Sequence, residues 1–264
     1  FGTGDTLINA ETLLNLRAKN PIRYLEGGDL KIYEETNNEH EYVMLVDVSK
    51  GRGQDYSTFN LIDISSRPFK QVAVYRNNLI SPLLFPNIIY KWANSYNKAY
   101  VVIESNDQGS LVTNGLYHDL EYENMHVESA IKANALGIEM TRKVKRLGCS
   151  SFKDIIENNK LEICDDDTIL EISTFVAKGV SYEASTGNHD DLVMNLVMLG
   201  YFMSTQYFND MTDINLKDIM FKQKMREIED DLPPFGFIDD GLPAHPTEEE
   251  IEGRQWAIEY MPDI

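Results

Sequence analysis

Asp47, Glu104 and the pair Asp190-Asp191 are the residues best placed to do chemistry in this chain of 264. Each stands where an apolar run meets small or polar residues. The three stretches are Leu45-Val46-Asp47-Val48-Ser49-Lys50-Gly51-Arg52-Gly53-Gln54-Asp55, Val102-Ile103-Glu104-Ser105-Asn106 and His189-Asp190-Asp191-Leu192-Val193-Met194. A buried strand fixes its side-chain directions by period-two alternation, so Asp47 at a strand end is aimed out of a sheet. A carboxylate held that way costs desolvation energy unless something positive meets it. Carboxylate oxygens suit Mg²⁺, which keeps several waters. Two such ions about 3.5–4 Å apart can activate a water and stabilise the leaving 3′-oxygen in phosphodiester cleavage. Taken singly, Asp47 reads as turn chemistry, Glu104 as a sheet-edge charge and Asp190-Asp191 as a helix cap. Only their joint placement points to a metal centre.

The elements that must position these residues follow from pattern and punctuation. Residues 6–19 read as a helix stopped by Pro21, and Leu30–Tyr33 as a short strand. Tyr42–Ser49, Ser57–Ile64 and Phe69–Arg76 read as three strands joined by short turns, an antiparallel meander. A helix follows from Ser81-Pro82, or one turn later because of Pro86, to about Tyr96. Tyr100–Glu104 is a strand, Gly109–Leu120 a helix, and Glu139–Leu147 a basic helix closed by Gly148. Ser150 or Ser151 caps a further helix over Phe152–Asn158. Leu161–Cys164 and Val180–Ala184 are small strands around a helix over Thr168–Ala177, with Asp165-Asp166-Asp167 as its N-cap run. Asp190–Phe208 is a long apolar helix. This order is that of an α/β RNase H-like (integrase/resolvase-type) mixed sheet flanked by helices. In such a sheet the first and fourth strands are neighbours, so Asp47 and Glu104 share a crevice beside the last helix.

Net charge is −19, which on its face argues against nucleic-acid binding. The distribution of charge along the chain points the other way. Acids crowd the chain from Met211 onward, whereas between Ala130 and Lys160 seven basic residues face three acidic ones. Lys143, Lys145 and Arg146 in that patch, with Arg52 in the Gly51-Arg52-Gly53 turn, are candidate phosphate contacts. His189 is a candidate for orienting a neighbouring carboxylate. Two cysteines without CxxC or Cys/His clustering argue against a disulfide scaffold or a zinc site and fit a reducing cytoplasm. No run reaches the roughly 18 apolar residues of a membrane helix. No GxxxxGK[ST] occurs, so an autonomous P-loop ATPase is excluded. The sequence divides into a lead-in over 1–40, a globular body over 41–209 and an acidic tail over 210–264 with a helix candidate at Leu216–Glu229.

The stretches quoted above, together with Val144-Lys145-Arg146-Leu147-Gly148-Cys149-Ser150 and Lys178-Gly179-Val180-Ser181-Tyr182, resemble the C-terminal nuclease domain of the large terminase of T-even-like tailed bacteriophages. The resemblance spans about Thr6 to Ser204. It implies a metal-dependent endonuclease that cuts concatemeric viral DNA during genome packaging, working in the cytoplasm of the infected bacterial host. It implies a metal triad of Asp47, Glu104 and Asp191, with Asp190 as the adjacent alternative and Asp55 as a further acid near the metals. It also implies two Mg²⁺, with Mn²⁺ able to substitute. The implied partners are double-stranded DNA, an N-terminal ATPase domain of the same protein, the portal and the small terminase subunit. Two other readings remain open on the residues. One is a different RNase H-like nuclease such as a junction resolvase or recombinase. The other is a non-catalytic portal-docking module that uses the acidic tail.

Overall fold

The computed structural model describes residues 5–127, 136–179 and 181–210. The acidic tail beyond Asp210, with its helix candidate, lies outside them. In chain order the elements begin with α1 (Ala10–Asn15), β1 (Arg23–Leu25), β2 (Leu30–Ile32), β3 (Tyr42–Asp47), β4 (Ser57–Asp63) and β5 (Phe69–Asn77). They continue with α2 (Phe85–Ser95), β6 (Tyr100–Ile103), α3 (Gly109–Asn114), α4 (Arg142–Glu157) and β7 (Leu161–Glu162). The last four are α5 (Asp166–Thr174), β8 (Phe175–Lys178), β9 (Ser181–Ala184) and α6 (Asp191–Met203). The main sheet runs β1-β2-β5-β4-β3-β6, with β7 also paired to β5. The meander β3-β4-β5 is antiparallel as expected, and β6 joins β3 in parallel.

Period-two alternation sorts the strand residues onto two faces. Val43, Leu45, Tyr100 and Val102 pack with Val193 and Val197 of α6 and with Phe152 of α4. Tyr42, Met44, Val46, Val101 and Ile103 pack on the opposite face against Phe85 and Ile89 of α2 and Val112 of α3. One more step along each strand brings Asp47 and Glu104 onto the face covered by α6.

Several sequence expectations need correction. The first helix covers only six residues, because Leu7 and Ile8 are buried and the Leu7 N–H donates to the Phe175 carbonyl at 3.1 Å. Residues 23–32, expected within a lead-in, supply two strands to the main sheet: β1, which the sequence pattern does not signal, and β2, the short strand expected at Leu30–Tyr33. The second helix takes the later of its two expected starts, at Phe85 with Pro86 in its first turn. The long helix ends at Met203 rather than Phe208. The helix expected over Thr168–Ala177 gives way at Phe175 to β8, which pairs with β9 in a separate hairpin.

The largest change concerns Gly148. It does not stop a helix; α4 runs through it for 16 residues, capped at Thr141 rather than at a serine. A Cβ at Gly148 would stand 2.4 Å from the Val197 carbonyl oxygen, and one at Gly200 would stand 2.6 Å from the Gly148 carbonyl oxygen. The two glycines let α4 and α6 cross backbone to backbone, so a tertiary contact rather than local capping placed a glycine there. Gly148→Val is expected to destabilise the fold by about 3 kcal/mol, the upper range for overpacking. Urea denaturation measures this; a loss below about 1 kcal/mol would contradict so close a crossing.

Candidate metal centre

β3 and β6 end side by side. Their register pairs Val46 with Ile103, and the Glu104 N–H donates to the Val46 carbonyl at 3.0 Å. Asp47 and Glu104 therefore leave the sheet at one edge, at the carboxyl ends of parallel neighbours. Across from them α6 begins at Asp191. A cleft of about 380 Å³ is lined by Asp47, Glu104, Asp191, Asp55 and Asp107, with Lys50 and Arg52 at the β3–β4 turn.

The turn that carries Lys50 and Arg52 is anchored from both sides. The Ser49 N–H donates to Ser57 Oγ at 3.1 Å, and the Gly53 N–H to the Asn78 carbonyl at 2.9 Å. Gly51 has φ +64°, and a Cβ there would lie 2.3 Å from the Ile80 carbonyl oxygen. Packing of the turn onto residues 78–80 accounts for this glycine.

The acids are partly buried and oppose one another. Burial pushes the Asp47 carboxyl well up from its ordinary range, and the charges of Glu104 and Asp191 push it further, against one hydrogen bond from the Val48 N–H at 2.7 Å. Burial also raises Glu104, up to about 7, with Lys145 opposing and Asp107 and Asp190 reinforcing. Asp191 goes up to about 6, mainly by burial, although the Tyr56 N–H donates to its Oδ2 at 3.3 Å. The charges of Asp190 and Asp55 push it the same way.

α6 is fastened to the sheet by buried polar side chains. Thr58 Oγ1 donates to the Asp191 carbonyl at 3.3 Å, Asn60 Nδ2 to the Leu192 carbonyl at 3.2 Å, and Asn195 Nδ2 to Thr58 Oγ1 at 3.0 Å. Asp190 holds the N-cap position yet makes no side-chain cap bond, and its Oδ2 accepts from the Ala184 N–H at 3.3 Å. The N–H groups of Leu192 and Val193 donate instead to Glu171 Oε2, at 2.7 and 3.1 Å.

The expected residues separate by position. Asp47, Glu104, Asp191, Asp55 and Arg52 line one cleft. Lys145 lies within electrostatic reach of Glu104, with its Nζ 5.6 Å from the Phe175 ring centre. Lys143 and Arg146 are exposed on α4. His189 Nδ1 is 3.7 Å from Asp191 Oδ2, beyond a hydrogen bond, and its ring meets Tyr56 edge-on at 5.0 Å. Sequence pattern alone does not single out Lys50, Asp107 or Glu171, which the fold adds to the site and its support. Asp165, Asp166 and Asp167 also cluster, but Lys31 Nζ sits among them at 2.9, 2.6 and 2.7 Å, so an ammonium already fills that acidic site.

Residues 44–200 match the family model described as the terminase RNaseH-like domain. The chain belongs to the terminase RNaseH-like domain family. Its fold is similar to solved structures of phage large-terminase nucleases. The nuclease of thermophilic phage G20c with bound magnesium matches at a TM-score of 0.61 and 20% identity, covering 76% of this chain and 98% of that one. The cobalt-bound form of that protein matches at 0.60, with the same identity and coverage. The nuclease domain of Thermus phage P74-26 matches at 0.55 and 23% identity, covering 71% and 90%. Within this RNase H-like terminase family, the mixed sheet and its flanking helices agree with the fold read from the sequence. Among the described residues no helix is long and apolar enough to cross a membrane.

The raised acids set a pH dependence. Unfolded Asp and Glu titrate near 4, so between about pH 4 and 7 the folded protein binds more protons than the unfolded chain. Metal-free stability therefore falls as pH rises through that window. Asp47→Asn keeps an acceptor for the Val48 N–H and removes a repelling charge. In EDTA at pH 8 its melting temperature is expected above that of the wild type, with the difference shrinking by pH 5. A lower melting temperature at pH 8 would contradict this electrostatic account.

Proposed function

We propose that this chain is a divalent-metal-dependent endodeoxyribonuclease that cuts concatemeric viral DNA during genome packaging, the nuclease part of a large terminase. One observation carries the reading: Asp47 and Glu104 end adjacent parallel strands and face Asp191 in a cleft where burial raises all three acids and the charges of Glu104 and Asp191 raise Asp47 further. Carboxylates that repel one another in a partly dry cleft fit a divalent cation, which supplies the missing charge.

Asp47, Glu104 and Asp191 are the ligands in this account. Asp190 is turned to the Ala184 N–H and is the weaker candidate, and Asp55 is an exposed residue of the cleft lining. The cofactor is Mg²⁺, two ions by preference, with Mn²⁺ able to replace it; when bound, such ions activate water and stabilise the leaving 3′-oxygen. The protein's own part is to hold the substrate. Lys50 and Arg52 meet backbone phosphates at one wall of the cleft. Lys145, Lys143 and Arg146 extend a basic surface along α4, contacting phosphates without reading sequence. Double-stranded DNA is the substrate. An ATPase domain in the same protein, the portal and the small terminase subunit are the partners, in the cytoplasm of an infected host. The acidic tail is a candidate contact for those partners.

Supercoiled plasmid incubated with the chain is expected to be nicked and linearised in Mg²⁺ and left intact in EDTA. Asp47→Asn and Asp191→Asn are expected to abolish cleavage with the fold retained by circular dichroism. Cleavage that persists in either variant would overturn the assignment. The double variant Lys50→Ala/Arg52→Ala is expected to bind DNA more weakly and to lose about 0.9 from the log–log salt slope per phosphate contact removed. An unchanged slope would remove these two residues from the DNA surface.

A further inference from the structure

The start of α6 is capped from outside the helix. An aspartate at an N-cap ordinarily accepts from the N–H groups of the first turn, and one inside the first turn is drawn to the same positive helix end. Here those groups, on Leu192 and Val193, donate to Glu171 Oε2 at 2.7 and 3.1 Å, and Asp190 makes no cap bond. Glu171 reaches them from α5 and is 3% exposed. Its other oxygen, Oε1, is 3.2 Å from Arg76 Nη2 on β5. Arg76 also lies 3.5 Å from Asp167, and its guanidinium stacks 3.9 Å from the Tyr56 ring centre. Tyr56 in turn gives its backbone N–H to Asp191 Oδ2.

We propose that Glu171 is a positioning residue for the metal centre. By taking the first-turn N–H groups of α6, and by being held by Arg76, it releases the Asp191 carboxylate from helix capping and fixes where that carboxylate points. The inference rests on the reading of Asp47, Glu104 and Asp191 as metal ligands. Two supports then converge on Asp191. Glu171 fixes the backbone just after it, and the Arg76–Tyr56 stack backs the amide that meets its side chain. Groups that orient a ligand in this way commonly change metal affinity about 10- to 100-fold when removed.

Mn²⁺ binding to the full chain by isothermal titration calorimetry, paired with hydrogen exchange at the Leu192 and Val193 amides of the metal-free protein, tests this. Glu171→Ala is expected to speed exchange at both amides and to weaken Mn²⁺ binding by about 10-fold or more. Glu171→Gln preserves shape and one carbonyl acceptor but loses the charge that pairs with Arg76. It keeps the comparison open if the alanine variant does not fold, and its Mn²⁺ affinity is expected to fall between the other two. A lowered unfolding temperature with unchanged Mn²⁺ affinity would mark Glu171 as a stabilising cap alone and overturn the proposal. Failure of the wild type to bind Mn²⁺ would overturn the metal-centre reading on which the proposal rests. Normal wild-type binding with equal binding by the folded variants would overturn only the role of Glu171.

Discussion

Desolvating a carboxylate is unfavourable unless a cation or hydrogen bonds compensate it, and this fold sets Glu104 and Asp191 close enough to raise the pKa of Asp47. Lys145 beside Glu104 and the Val48 N–H on Asp47 offset the cost only in part. The parallel pairing of β3 with β6 brings the first two acids together, and the bonds from Thr58 and Asn60 of β4 to the start of α6 bring the third. A chain selected for stability alone would gain by replacing one of them with an amide. Sites that hold such strain are commonly those where a ligand relieves it.

The same molecule contains a contrasting acidic cluster. Asp165, Asp166 and Asp167 converge as closely as metal ligands would, yet Lys31 from β2 already pairs with all three. The difference between the two clusters is the counter-charge. Lys31 is engaged by all three acids of its cluster, whereas the Asp47 carboxylate meets the neutral N–H of Val48. Arg76 extends the ionic chain from Asp167 to Glu171, so the Lys31-paired cluster and the first turn of α6 are mechanically connected.

Much of the site is legible in the sequence because it depends on alternation. Asp47 and Glu104 continue the period of their strands, and the meander followed by a helix and a parallel strand makes those strands neighbours. Asp191 is legible as a helix start, but local pattern cannot separate a cap from a ligand. That distinction depends on Glu171, which lies on a different helix. Its signal is an acid on the face of α5 that also carries Thr168 and Ile172, both buried. Gly148 misleads for a related reason: a glycine after a basic helical turn is a common C-terminal signal, and only the approach of Val197 explains it. β2 is legible as a strand from the alternation of Leu30 and Ile32, whereas β1 turns only Leu25 inward, so its place in the sheet follows from pairing with β2 rather than from pattern.

The most direct test of the metal centre is an anomalous diffraction map from crystals of the chain soaked in Mn²⁺ at pH 8. Density is expected between Asp47, Glu104 and Asp191, and is expected to be absent from Asp47→Asn crystals treated identically. Density at Asp165–Asp167 alone, or none in the cleft, would contradict a metal centre built on these three acids.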